Sequence, residues 1–141
     1  MNIPELRQKA ESGNVVAQSM LGICYLDGID VPVDYREAFR FLTAAAEKGV
    51  PRAVFNLARM HALGLGIPKN VVEAMRLYEK AANAGEFLAQ IELARIYSRG
   101  TEVPASRELA QRWYSTAAAQ GGEVGDCEEL MEAKSWLANY K

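Results

Sequence analysis

Ala10, Ala46, Ala82 and Ala118 stand 36 residues apart, and so do Gly13, Gly49, Gly85 and Gly121. The same step joins Gly28, Gly64 and Gly100, and likewise Leu21, Leu57 and Leu93. It also joins Val31, Ile67 and Val103, then Pro32, Pro68 and Pro104, then Ala38, Ala74 and Ala110. A fixed period of a few tens of residues constrains a chain to a stacked array, in which each unit buries its apolar face only against its neighbours. Such an array presents a surface. It is not organised around one catalytic cleft.

The second unit reads most cleanly. Gly49 ends a preceding helix, where a positive φ is cheap, and Pro51 falls at the first position of the next, where a missing N–H costs nothing. From Arg52 to Leu63, Ala53, Leu57 and Met60 or His61 recur at helical spacing. Gly64 and Gly66 stop that helix, and Ile67 with Pro68 makes a short extended link. Asn70 with Glu73 predicts a capping box opening a second helix over about 71–84, with Ala74, Leu77 or Tyr78, and Ala81 as its stripe. Unit one repeats the scheme with Asp34 and Glu37 as the box. Unit three has Ser106 but Leu109 where the reciprocal Glu belongs, so its cap is half made. Small residues at Gly22, Ala58 and Ala94 let paired helices approach to near ~8 Å.

The ends depart from the pattern, as array ends must. Asn2, Pro4 and Glu5 open a short helix covering unit one, over 2–11. The units follow as 14–49, 50–85 and 86–121, within one domain of 1–141. After Gly121 the register degrades, with Gly125 and Glu129 in place of the Ala and Leu of the pattern. A capping helix is expected over 123–140, with Glu128, Glu132, Ser135 and Asn139 as a solvated face and Leu130, Leu137 and Tyr140 towards the array.

Ala17, Leu21, Gly22, Tyr25, Gly28, Val31, Asp34, Ala38, Ala45, Ala46 and Gly49, with their partners 36 and 72 positions on, resemble the Sel1-like repeat of the tetratricopeptide-like α-solenoids. The resemblance spans roughly residues 10 to 121. His61 stands where that pattern has Tyr, Ala58 and Ala94 where it has Gly, and only unit two keeps a Gly-x-Gly linker. The resemblance implies an all-α fold, a right-handed superhelix of antiparallel helix pairs, and the work of an adaptor or scaffold. It implies no catalytic residues. By analogy with tetratricopeptide proteins, the first helix of each pair lines the concave side.

Non-repeating residues on those first helices are the candidates for recognition, because packing does not dictate them. They are Val16, Ser19, Ile23 and Asp27 in unit one, Arg52, Phe55, Arg59 and Leu63 in unit two, and Leu88, Ile91, Arg95 and Arg99 in unit three. Positions 16, 20, 23 and 27 form one ridge along a helix. The expectation is a groove for an acidic or C-terminal-carboxylate peptide, with Phe55 and Ile91 as apolar anchors and the arginines as carboxylate forks. The plainer alternative is a wet face whose arginines pair with Glu86, Glu92 or Glu102.

The net charge of −2 on 141 residues argues against nucleic acid, and no apolar run approaches the roughly 18 residues of a membrane span. No secretory leader precedes the first unit, so a cytoplasmic location is expected unless the sequence has been trimmed. Cys24 and Cys127 are expected as thiols, with Cys24 a small buried hydrophobe. No cofactor or metal is expected. His61 is the sole histidine and is read as packing, as are Trp113 and Trp136. The acidic group Glu123, Asp126, Glu128, Glu129 and Glu132 lacks the glycine and alternation of a Ca²⁺ loop. The chain therefore reads as a non-enzymatic interaction module for a protein or peptide, monomeric with a dimer as the alternative. A dedicated inhibitor or immunity protein is the second reading. An enzyme is the third, for which no convergent acid, base or nucleophile is visible.

Overall fold

The structure, a computed structural model, describes residues 2–121 and 127–139. Among them are eight helices and no strand: α1 (Ile3–Glu11), α2 (Val15–Asp27), α3 (Tyr35–Glu47), α4 (Pro51–Leu63), α5 (Val71–Asn83), α6 (Phe87–Arg99), α7 (Arg107–Ala119) and α8 (Glu128–Asn139). This element order is that of an α-solenoid, three helix pairs with one helix at each end. The six repeat helices are each 13 residues long. Their starts keep the period, Val15 to Pro51 to Phe87 and Tyr35 to Val71 to Arg107. Expectations involving Glu123, Gly125, Asp126 and Tyr140 lie outside the described residues.

The chain divides into two compact units, Met1–Lys80 and Ala81–Lys141, the boundary falling within the residues of α5. In the first, α1 packs on α2, α2 along α3, and α3 against α4. Leu21, Leu42 and Met60 are wholly buried there, beside Ala17, Ala38, Ala53 and Ala58. In the second, α6 packs along α7 and α7 against α8, around Ile91, Leu93, Ala94, Ala110 and Ala117. The small slots behave as spacing demands. A Cβ at Gly22 would stand 2.6 Å from Leu42 Cγ, so this helix pair is closer than any side chain allows. Ala58 and Ala94 hold the same slot at 0% exposure.

Backbone bonds repeat with the sequence. Each first helix ends on a left-handed glycine, Gly28, Gly64 and Gly100 at φ 70, 66 and 68°. The cap of each second helix then reaches back: the Asp34 N–H donates to the Tyr25 carbonyl at 2.9 Å, Asn70 to His61 at 2.8 Å, and Ser106 to Tyr97 at 3.0 Å. These clasps correct the capping-box expectation. Asp34, Asn70 and Ser106 do accept from the N–H of Glu37, Glu73 and Leu109. The return bond from the Glu is not needed, because the cap N–H is already spent on the first helix. Glu37 and Glu73 turn outward instead, to Arg7 and Arg76.

Candidate partner-binding face

On each first helix the ridge predicted from spacing divides sharply by burial. Val16 is 65% exposed, Met20 39% and Leu63 63%. Arg52, Asp27 and Arg99 are also exposed, while Ile23, Arg59, Leu88 and Arg95 are half-buried. Ser19, Phe55 and Ile91 are buried at 6, 9 and 1%. The reason is angular. At about 100° per residue, positions 16, 20, 23 and 27 fall within some 60° of one another, whereas position 19 sits ~60° round from 16, on the side facing the paired helix. Phe55 accordingly packs on Tyr78, ring centroids 5.9 Å apart. Phe55 and Ile91 are core residues, which corrects the expectation that they serve as anchors a partner can reach. Met20, left out of the recognition slots, is the exposed apolar residue beside Val16 on α2.

The arginines are oriented rather than loose. The Arg59 guanidinium donates to Asn56 Oδ1 at 2.7 Å and to Asp27 Oδ1 at 3.4 Å, which ties α4 to α2. Asn56 is itself buried and donates to the Arg52 carbonyl at 2.9 Å. In the second unit Arg95 grips Glu132 of α8 as a fork, with Nε at 2.9 Å from Oε2 and Nη2 at 2.6 Å from Oε1. The Tyr114 hydroxyl donates to the same carboxylate at 2.8 Å, and Glu92 stands 3.5 Å from the guanidinium. Glu132 was expected on a solvated face, and its capture by Arg95 corrects that. Of the carboxylates expected to pair with arginines, Glu92 does so. Glu86 is buried and caps α6, accepting from the Leu88 N–H at 3.3 Å.

The electrostatics follow the geometry. Arg95 holds the Glu132 carboxyl below its ordinary range, against the opposing effect of burial and with help from the Tyr114 bond. Burial first, and then the bond to Glu132, pushes the Tyr114 phenol upward. The Arg95 guanidinium is held more firmly protonated by the same carboxylate.

The remaining candidates resolve as packing. His61 is half-buried and edge-on to Phe39 at 6.4 Å. Trp113 is buried, and the Trp136 ring lies 5.0 Å from Tyr114. Cys24 is buried and Cys127 half-buried, both as thiols, with burial raising the Cys24 pKa. Among the described residues no three metal-binding side chains converge. No helix among them is long and apolar enough to cross a membrane.

The sequence model of the Sel1 repeat matches residues 15–50, 51–86 and 88–122. Among solved structures, a Sel1 repeat protein from Oxalobacter formigenes is 40% identical, with a TM-score of 0.76 and 98% of each chain covered. A protective antigen of uropathogenic Escherichia coli, displaying an SLR fold, is 29% identical with a TM-score of 0.77. The alignment covers 98% of this chain and 32% of that antigen. Cysteine-rich protein B of Helicobacter pylori shares the fold at 17% identity, with a TM-score of 0.67 and 88% and 94% of the two chains covered. No curated protein matches the sequence.

Proposed function

The chain belongs to the Sel1 repeat family, whose repeats as a rule mediate protein–protein interaction without catalysis; from that premise we propose that it holds a partner polypeptide along the first-helix, concave face. The supporting observation is the ridge on α2, where Val16 and Met20 stand exposed on a helix whose other large apolar side chains are wholly or partly buried. Exposed apolar side chains rimmed by charge mark interaction surfaces more often than they mark chance. On α4, Arg52, Arg59 and Leu63 extend the face, and Asp27 already shows Arg59 engaging a carboxylate. On α6, Arg95 and Arg99 supply the same chemistry. The partner segment is therefore acidic with apolar side chains, and its source is the cytoplasm. The protein itself acts as a monomer.

A photocrosslinker at position 20 identifies the partner in lysate. Val16→Asp with Met20→Asp should then lower its affinity at least tenfold, whereas Val72→Asp on α5, a site 82% exposed, should leave it unchanged. Arg59→Ala with Arg95→Ala should weaken capture as well. Equal losses from the α2 and α5 variants would remove the reading. The captured species also separates roles: several partners indicate an adaptor, one stoichiometric enzyme or toxin a dedicated inhibitor.

A further inference from the structure

The seat of α8 buries less of its helix than the seats of the first helices α4 and α6 do. Helices α4 and α6 each bury seven side chains, but α8 buries only Leu130 and Ala133, with Trp136 and Leu137 half-covered and Met131 68% exposed. Helix α8 starts at Glu128, off the 36-residue step that sets the starts of the repeat helices. It packs on α7 and touches α6, as α4 packs on α3 and touches α2, but with fewer buried side chains. Polar bonds add to that apolar contact. Arg95 and Tyr114 grip the Glu132 carboxylate, and the Trp136 indole N–H donates to Ser98 Oγ at 3.2 Å. Arg99 adds to the positive potential that Glu132 feels.

The geometry points to α8 as a displaceable cap, replaced by an acidic amphipathic helix of the partner whose carboxylate takes the place of Glu132 against Arg95 and Tyr114. The inference rests on the interaction-module reading and names the partner's chemistry at this seat. What the seat accepts is shown by its present occupant: one carboxylate, small or branched apolar residues two positions before and one after it, and an aromatic ring four after, as in Leu130, Glu132, Ala133 and Trp136. A charge-assisted fork is specific and strong in a half-buried site, but it exchanges readily for another carboxylate of the same geometry. A competitor binds only the fraction of molecules whose α8 has left, so loosening α8 raises its apparent affinity.

The test uses the full chain and a fluorescent synthetic peptide of residues 127–141, with Cys127→Ser in the peptide, read by anisotropy. The chain carrying Glu132→Gln should bind this peptide about tenfold tighter than the unaltered chain does. A peptide carrying Glu132→Gln should bind either chain about tenfold more weakly, a comparison that stands even where the altered chain unfolds. Equal affinity of the two peptides, equal affinity of the two chains when both are folded, or no binding at all would overturn the proposal. A concentration-dependent dimer of the Glu132→Gln chain without peptide would overturn it too, by assigning the seat to a second copy. No natural partner enters this experiment, so its failure leaves the α2 and α4 reading standing. Failure of the α2 variants to affect capture leaves the peptide result unchanged.

Discussion

The two end helices are closed by the same kind of polar triad but stand on different foundations. At the N-terminus the cap brings the cation: Arg7 donates to the Tyr25 hydroxyl at 2.6 Å and to Glu37 at 2.8 Å, its guanidinium over the Tyr25 and Phe41 rings. At the C-terminus the cap brings the anion, Glu132, to Arg95 and Tyr114. Helix α1 remains in register, because Ala10 keeps the Ala46 and Ala82 slot at 1% exposure. Its carbonyl receives Gln18 Nε2 at 3.2 Å, as the Ala82 carbonyl receives Gln90 Nε2 at 3.1 Å. Helix α8 starts off the 36-residue step and buries Leu130 and Ala133, as α1 buries Leu6 and Ala10, with its triad added to them. An array can end on the period of its repeats or off it, with a charged triad added to two buried side chains in either case.

The largest effect should come from the periodic core, which both ends share. Leu21→Ala and Leu93→Ala, each at 0% exposure, should each cost about 2–5 kcal/mol in urea unfolding. A cost below about 1 kcal/mol at either would contradict equivalence of the repeats. Next, Glu132→Ala should cost roughly 1–2 kcal/mol, since it strands Arg95 and Tyr114 in a site about one-third exposed.

That contribution also has a pH signature. The folded-state pKa of Glu132 lies below its unfolded value, so its stabilisation is present above the unfolded carboxylate range, near ~4.3, and is lost as pH falls through the folded value. The difference in Tm between the chain and its Glu132→Gln variant should thus be full at pH 6 and shrink as the pH falls below the unfolded carboxylate range. A difference independent of pH would mean the carboxylate is not ionised in its seat. Arg7→Ala should cost less, below about 1 kcal/mol, because its side chain is 40% exposed and α1 keeps the bond from Gln18 to the Ala10 carbonyl. If Arg7→Ala proved the costlier of the two, the contrast between the ends would be reversed. Smallest of all, Lys48→Ala removes bonds to the Gly13 carbonyl and Gln18 in an exposed setting and should leave Tm within error.

The helix pairs, their glycine stops and the small-residue slots were legible because each recurs three times, and repetition separates packing from chance. The capping boxes were half legible. The acceptor side chains are local, but the clasp from Asp34 to Tyr25 is a tertiary bond that spacing alone does not announce. On the candidate face, the ridge through 16, 20, 23 and 27 identifies Met20 by helical angle alone. Ser19, Phe55 and Ile91 were misplaced by treating a position 60° away as part of it. The role of Glu132 was illegible, because it depends on where an out-of-register helix lands, and periodicity carries no information there.

Hydrogen–deuterium exchange on the crosslinked partner's complex tests the central claim most directly, since it asks which helices a bound polypeptide shields. Slowed exchange over Val15–Asp27 and Pro51–Leu63, with α3 unchanged, is the predicted pattern. Protection confined to α3 and α5 would contradict it.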